Sequence, residues 1–219
     1  MPAVDVLAMN SNQSITFFDT QFQKQVAGSD FALNPFEKAA LPFVHGRVLE
    51  LGCGLGNLCI EAVRGGAEFV AVDASETAIK RIRNTAAAHN LRIEAVLADV
   101  STYEITREFD TIVAIGLLMF FERARALALL DDIQAHVAAN GRAVINVLTA
   151  GTTYLGMFEP GHYYLFGQNE LEERFKGWNI LLSRHDGFDA PGNTRKEFAT
   201  IVARKGPEIT KVLTATKPG

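Results

Sequence analysis

The sequence predicts a doubly wound α/β fold: a sheet of about seven strands, mostly parallel, with a C-terminal antiparallel hairpin. Three observations carry this. Short apolar runs alternate with stretches of helical periodicity between Arg47 and Leu148. Those runs are apolar nearly throughout, as strands covered on both faces are. Near the C-terminus, two β-rich runs flank Asp189-Ala190-Pro191-Gly192-Asn193, whose residues favour a turn.

The elements follow in order. Residues 1 to about 30 are polar, with Phe17, Phe18 and Phe22 spaced for one helical face. Phe36–Val44 reads as a helix leading into the first strand, Val48–Leu51. Leu58–Arg64 is a helix that Gly65-Gly66 terminates. Phe69–Asp73 is the second strand, and Ser75 is placed to cap a helix over Glu76–His89, where Ala78, Ile79, Ile82 and Ala86 recur at helical spacing. Ile93–Asp99 and Phe109–Leu118 supply two more strands, Arg123–Val137 a helix, and Arg142–Leu148 a fifth strand. A Gly- and aromatic-rich loop over 150–168 and a short helix, Gln168–Lys176, precede the hairpin strands Asn179–His185 and Glu197–Arg204. Residues 206–219 read as a flexible tail, and residues 1–44 as an N-terminal helical cap or lid.

Size and composition bound the function. The 219 residues suit one sizeable core. A net charge of −4 argues against a chain that wraps nucleic acid. Cys53 and Cys59 fit two reduced thiols of a cytoplasmic protein, and no Cys/His metal spacing surrounds them, so no metal is expected. Neither a signal peptide nor a membrane-spanning run is legible. The expected partner is a small molecule, with no nucleic acid or membrane, and the chain a monomer or homodimer.

The chemistry concentrates at the carboxyl ends of the predicted strands, where ligands bind in such sheets. Val48-Leu49-Glu50-Leu51 runs into Gly52-Cys53-Gly54-Leu55-Gly56, a side-chain-poor turn that lets backbone approach a nucleotide-like ligand. Glu50 would attract a cationic part of that ligand and repel a pyrophosphate. Asp73 is placed to accept from both hydroxyls of a ribose. Asp99 would accept from an adenine amine while Val100 packs the ring. A dinucleotide turn would place its third glycine at 57, where Asn57 stands. The pattern therefore favours S-adenosylmethionine over NAD.

Glu50-Leu-Gly-Cys-Gly-Leu-Gly56, Val72-Asp-Ala-Ser75, Ala98-Asp-Val100 and Phe109-Asp-Thr-Ile-Val-Ala114 resemble, in order and spacing, four consecutive signatures of the class I S-adenosylmethionine-dependent methyltransferases, over about residues 45–149. Leu118-Met-Phe-Phe-Glu122, Tyr163-Tyr-Leu-Phe166, Glu170-Leu171, Gly177-Trp178 and Phe198–Lys205 are similar to the tellurite-resistance methyltransferase group. The resemblance implies a Rossmann-like methyltransferase domain over 45–205 that yields S-adenosylhomocysteine as product. It implies that Glu50, Gly52, Gly54 and Gly56 line the methionine and ribose side and that Asp73 holds the ribose. Ala74, Asp99 and Val100 would then surround the adenine, with Ile115 and Gly116 facing the methyl group. The narrower group carries a His-Arg pair and a further Arg near its last hairpin. Here Asp186 follows His185, and Arg195 stands out of register.

The acceptor is expected to be small, such as a tellurium or selenium species or a thiol. Its wall would draw on Phe18, Phe22, Met119, Phe120, Tyr163 and Tyr164, residues that equally suit a packed core. His162, His185 and Arg195 are the candidates for acid–base work or for contact with an anionic acceptor. The competing functions are a nucleic-acid or protein methyltransferase, a non-enzymatic S-adenosylmethionine-binding protein, and an NAD-linked dehydrogenase.

Overall fold

Two strands of the sheet, β1 (Arg47–Leu51) and β4 (Phe109–Ile115), lie side by side although most of the first half of the chain separates them. Between them in sequence come α3 (Asn57–Arg64), β2 (Glu68–Asp73), α4 (Glu76–His89) and β3 (Ile93–Leu97). The chain thus winds outward from β1 through β2 to β3, then returns to place β4 on the other flank of β1. The computed structural model describes residues 13–207. It opens with α1 (Gln13–Gly28) and α2 (Pro35–Ala40). It continues past β4 with α5 (Arg123–His136), β5 (Val137–Leu148), α6 (Glu170–Arg174), β6 (Asn179–Ala190) and β7 (Thr194–Arg204). The seven strands run β3-β2-β1-β4-β5-β7-β6, parallel as far as β5 and antiparallel across β5, β7 and β6. The predicted fold class holds. The return from β3 to β4 makes the switch point at which such sheets open a crevice.

Alternation along each strand divides the core into two layers. Leu49, Val70, Val72, Ile112 and Ile145 face α5 through Leu129, Leu130 and Ile133. Val48, Phe69, Ala71, Val113 and Val144 face α3 and α4 through Leu58, Cys59, Ile79 and Ile82. Glu50, two residues on from Val48, shares the second face.

Local signals set the helix ends. Asn34 caps α2 by accepting from the amides of Phe36 and Glu37 at 2.9 Å, and Glu37 Oε2 accepts from the Asn34 amide at 2.7 Å. This reciprocal box, with Pro35 at the first helical position, satisfies otherwise unpaired donors. Ser75 caps α4, its Oγ accepting from the Ala78 amide at 3.1 Å, and Asn90 ends it in a left-handed conformation.

Several boundaries differ from those expected. The helix read over Phe36–Val44 stops at Ala40 and continues as a 3-10 turn through Phe43, where Pro42 interrupts it. The third strand ends at Leu97, so Asp99 stands in the following turn. The fifth strand begins five residues early, at Val137, across an irregular register with β4. β6 and β7 run far beyond the apolar stretches that marked them: they remain paired out to Ala190 and Thr194. β6 is an edge strand with little burial, so hydrophobicity underreports its length. The aromatic segment 150–168 is a loop, as expected, pinned by a bridge between Thr149 and Phe166. Among the described residues no helix is long and apolar enough to cross a membrane. Residues 1–12 of the expected cap, and 208–219 of the expected tail, lie outside the described residues.

Candidate functional site

A cavity of about 390 Å³ opens at the carboxyl ends of β1, β2 and β4 and is roofed by α1. The glycine turn forms its floor. The amides of Gly52 and Cys53 both donate to the Val72 carbonyl oxygen, at 2.8 and 3.0 Å, which folds the turn back against the end of β2. Gly52 and Gly54 take φ values of +69° and +51°, a region open to glycine at little cost. A Cβ at Gly54 would stand 3.3 Å from the Phe22 ring of α1.

Asp73 ties this floor to α4. One of its carboxylate oxygens accepts from the Gly54 amide at 2.8 Å and the other from the Ser75 amide at 2.9 Å. Burial raises its pKa, and those amide hydrogen bonds pull the other way without cancelling the effect. Glu50 is 3% exposed, and its Oε2 has no hydrogen-bond partner. Burial, with the nearby charges of Glu37 and Asp73, pushes its carboxyl well above the usual range. Burial pushes the Cys53 thiol up as well, with Asp73 and Glu50 adding to it. Asp99 is exposed and accepts from the Ser101 amide at 2.8 Å, beside the buried Val100.

Four carboxylates, those of Glu37, Glu50, Asp73 and Asp99, line the cavity, and no Lys, Arg or His does among the described residues. Such a lining favours a ligand carrying positive charge. Glu50 in particular is a buried, unpaired acceptor whose ionised form gains most from a cation such as a sulfonium or an ammonium. The donor set therefore fits S-adenosylmethionine.

Of the residues the sequence singles out, Glu50, Gly52, Gly54, Asp73, Ala74, Asp99, Val100, Ile115 and Gly116 share this lining with Phe18, Phe22 and Phe120. Phe18 meets Phe120 edge-on at 5.1 Å, joining the roof to the turn after β4. The others stand elsewhere. Gly56 leaves the lining because α4 covers it: a Cβ there would fall 2.5 Å from Ile82 Cγ1. Met119 packs into a small core with Leu148, Met157 and Phe158. Tyr163 stacks on Phe158 at 4.7 Å, and the Tyr164 hydroxyl donates to Glu170 at 2.6 Å.

None of the three acid–base candidates reaches the cavity. His162 is 58% exposed and lies 3.0 Å from Glu122. His185 projects from β6 toward Glu172, at 3.7 Å. Arg195 is held by Glu197 and Asp189 on the hairpin surface. His185 lies on β6 and Arg195 on β7, and neither side chain lines the cavity.

Conversely, the lining includes residues that the sequence did not assign to the site: Asn34, the cap of α2, Phe36 and Glu37 of α2, Asn146 of β5, and Phe198 of β7. Two signals could have found them. Asn34-Pro35-Phe36-Glu37 is a capping-box pattern. Asn146 interrupts the apolar run Ala143–Leu148 and so stands as a polar group in a buried strand.

The fold and this lining resemble those of the class I S-adenosylmethionine-dependent methyltransferases. Residues 48–141 match the family model for a methyltransferase domain. The chain resembles the TehB group within that class. Over 166 residues it is 30% identical to the probable S-adenosyl-L-methionine-dependent methyltransferase TehB of Haemophilus influenzae; the match covers 73% of this chain but only 57% of that protein. The crystal structure of Haemophilus influenzae TehB shares the fold with a TM-score of 0.68 at 24% identity, covering 88% of this chain and 67% of that one. So does the Burkholderia thailandensis 1,6-didemethyltoxoflavin-N1-methyltransferase, with a TM-score of 0.62 at 20% identity and 94% coverage of both chains.

Proposed function

We propose that the protein transfers the methyl group of S-adenosylmethionine to a small molecule held between α1 and the carboxyl ends of the central strands. One observation carries this: a single cavity joins the glycine turn and the strand-end acids to the phenyl rings of α1 and of the turn after β4. When bound, the cofactor supplies a methyl group activated by its positively charged sulfur.

The chain's own residues hold and orient. Asp73 keeps acceptor capacity for a ribose beyond the backbone amides it already engages. Ala74, Asp99 and Val100 receive the adenine. Glu50, with the exposed backbone of Gly52 and Gly54, receives the methionine portion, and Ile115 and Gly116 lie toward the methyl group. Phe18, Phe22 and Phe120 exclude water, and residues 13–44, the described part of the expected cap, cover the site. Displacement at a sulfonium gains chiefly from such positioning.

The acceptor is a small molecule with an apolar body. The Burkholderia thailandensis protein acts, by its name, on a compact organic molecule, and its chain is of similar extent. A thiol or a reduced selenium or tellurium species would need no base, and nothing in the lining selects it. An oxyanion is disfavoured by the four carboxylates.

Calorimetry with S-adenosylmethionine and S-adenosylhomocysteine, followed by an acceptor screen that reads S-adenosylhomocysteine release, tests the proposal. Asp73→Ala should weaken binding about 100-fold, from the loss of hydrogen bonds to a charged group. Unchanged affinity in a variant that still melts cooperatively would remove Asp73 from the site.

A further inference from the structure

We infer that the methyl acceptor is an organic amine, its nitrogen held by the side-chain carbonyl of Asn146 and by the carboxylate of Glu37, which takes the proton the nitrogen gives up. This rests on the methyl-transfer reading above and adds the acceptor's chemical class.

Asn146 supplies the first observation. It is fully buried near the carboxyl end of β5, opposite Ile115 of β4 and Thr200 of β7. Its amide nitrogen donates to Thr200 Oγ1 at 2.9 Å and to the Ala199 carbonyl oxygen at 3.5 Å. A carbonyl oxygen accepts only, so this contact fixes which end of the side chain faces β7. Oδ1 is left without a partner, in a residue that lines the cavity. A buried acceptor of this kind lacks a donor, and an N–H on a ligand is what it can take.

Glu37 supplies the second. The capping box commits Oε2 to the Asn34 amide, and no cation pairs with the carboxylate among the described residues. Phe36, the neighbour of Glu37 in the lining, packs on Phe198 at 4.6 Å and so places α2 over the same sheet face as Asn146. The titratable groups that face Glu37 from other elements are Glu50 of β1 and Cys59 of α3. Neither can neutralise it, and burial raises its pKa. A carboxylate so placed attracts an ammonium and accepts its proton more readily than a solvated one.

The two groups divide the work. Glu37 draws in the protonated amine, and Asn146 turns one N–H so that the lone pair, once freed, points toward the methyl side. The amine lone pair forms the C–N bond as the C–S bond breaks and its electron pair stays on sulfur. The proton lost from nitrogen is received by Glu37 and passes to solvent. The phenyl rings of Phe18, Phe36 and Phe120 suit the apolar body and attract the cation.

Calorimetry on the full chain loaded with S-adenosylhomocysteine, using a panel of primary and secondary arylalkylamines, tests this alongside turnover with the same amines, thiols of matched body, and tellurite. Amines should bind and turn over at least about tenfold better than the other classes. Glu37→Gln, which retains a capping oxygen, should lower kcat/KM for the amine about 100-fold and remove the acidic limb of its pH profile. Asn146→Ala should weaken the amine about tenfold. Both variants should bind S-adenosylhomocysteine within about threefold of wild type. Thiols or tellurite matching the amines, no amine binding the loaded protein, or a Glu37→Gln variant with an unaltered pH profile overturns the inference and leaves the methyl-transfer reading standing. Failure of the wild type to bind S-adenosylhomocysteine overturns both.

Discussion

Asp19 of α1 caps the helix that follows Asp73: its Oδ1 accepts from Ser75 Oγ at 2.5 Å and from the Thr77 amide at 3.3 Å. The roof is thereby fastened to the turn and helix start that directly follow Asp73 at the end of β2. Asp19→Ala should free α1 without unfolding the sheet. Amide exchange in α1 should rise about tenfold or more, while global stability falls by only about 1 kcal/mol. Burial pushes the Asp19 carboxyl up, but the hydrogen bonds from Ser75, Thr77 and Gln23 outweigh this and hold it below its usual 3.8. A depressed acid contributes stability above its unfolded value and loses it as pH falls through the folded one, so the fastening weakens only below about pH 4. Unchanged α1 protection in Asp19→Ala would show that the aromatic contacts alone hold the roof.

Glu50 leads to the opposite pH dependence. Its pKa is raised by burial and by its acidic neighbours. A raised acid binds its proton more tightly in the folded state, so its contribution is fully present below its ordinary 4.5 and is lost as pH rises through the folded value. Glu37 and Asp73 are raised too and act in the same direction. The ligand-free protein should therefore lose stability as pH rises above 4.5, and Glu50→Gln should melt higher than wild type at pH 8 but not at pH 4. At this size each about 1 kcal/mol corresponds to about 2–4 °C. The same substitution should weaken a sulfonium ligand, whose binding to wild type should release a proton. Calorimetry in buffers of different ionisation enthalpy reads that release, and its absence would mean that Glu50 is already ionised.

The surface residues permit a plainer test. His162, His185 and Arg195 each pair with a carboxylate outside the cavity. Alanine at any of them should leave kcat/KM within about twofold, because exposed ion pairs contribute little. A tenfold loss at His162 would mean that the loop over 150–168 reaches the site during turnover.

How far the site was legible follows from how each residue is encoded. Glu50, Gly54, Asp73 and Val100 are marked by local signals at strand ends or in the turns just past them, and that position is what brings them together. Asn146 and Glu37 reach the cavity through tertiary placement. Asn146 lies there because β4 and β7 flank β5, and Glu37 because Phe36 seats on Phe198. His185 and Arg195 misled for a related reason: facing direction on a hairpin depends on register, and the full length of β6 and β7 was hidden by the polar edge.

Gly56 and Gly54 separate packing from ligand approach within a single turn. Both have positive φ, +73° and +51°, so alanine is strained at either. At Gly56 the new Cβ would meet Ile82 Cγ1 at 2.5 Å and Cys59 Sγ at 2.9 Å, both held in the core between α3 and α4. Gly56→Ala should cost about 2–4 kcal/mol by urea unfolding, from overpacking added to backbone strain. The folded fraction should bind S-adenosylhomocysteine within about threefold of wild type. At Gly54 the new Cβ meets only the Phe22 ring of the roof, at 3.3 Å, which can yield. Gly54→Ala should cost about 1 kcal/mol in stability but should weaken the ligand at least about tenfold, because the methyl group stands in the cavity floor. Equal losses of affinity at the two positions would return Gly56 to the binding surface.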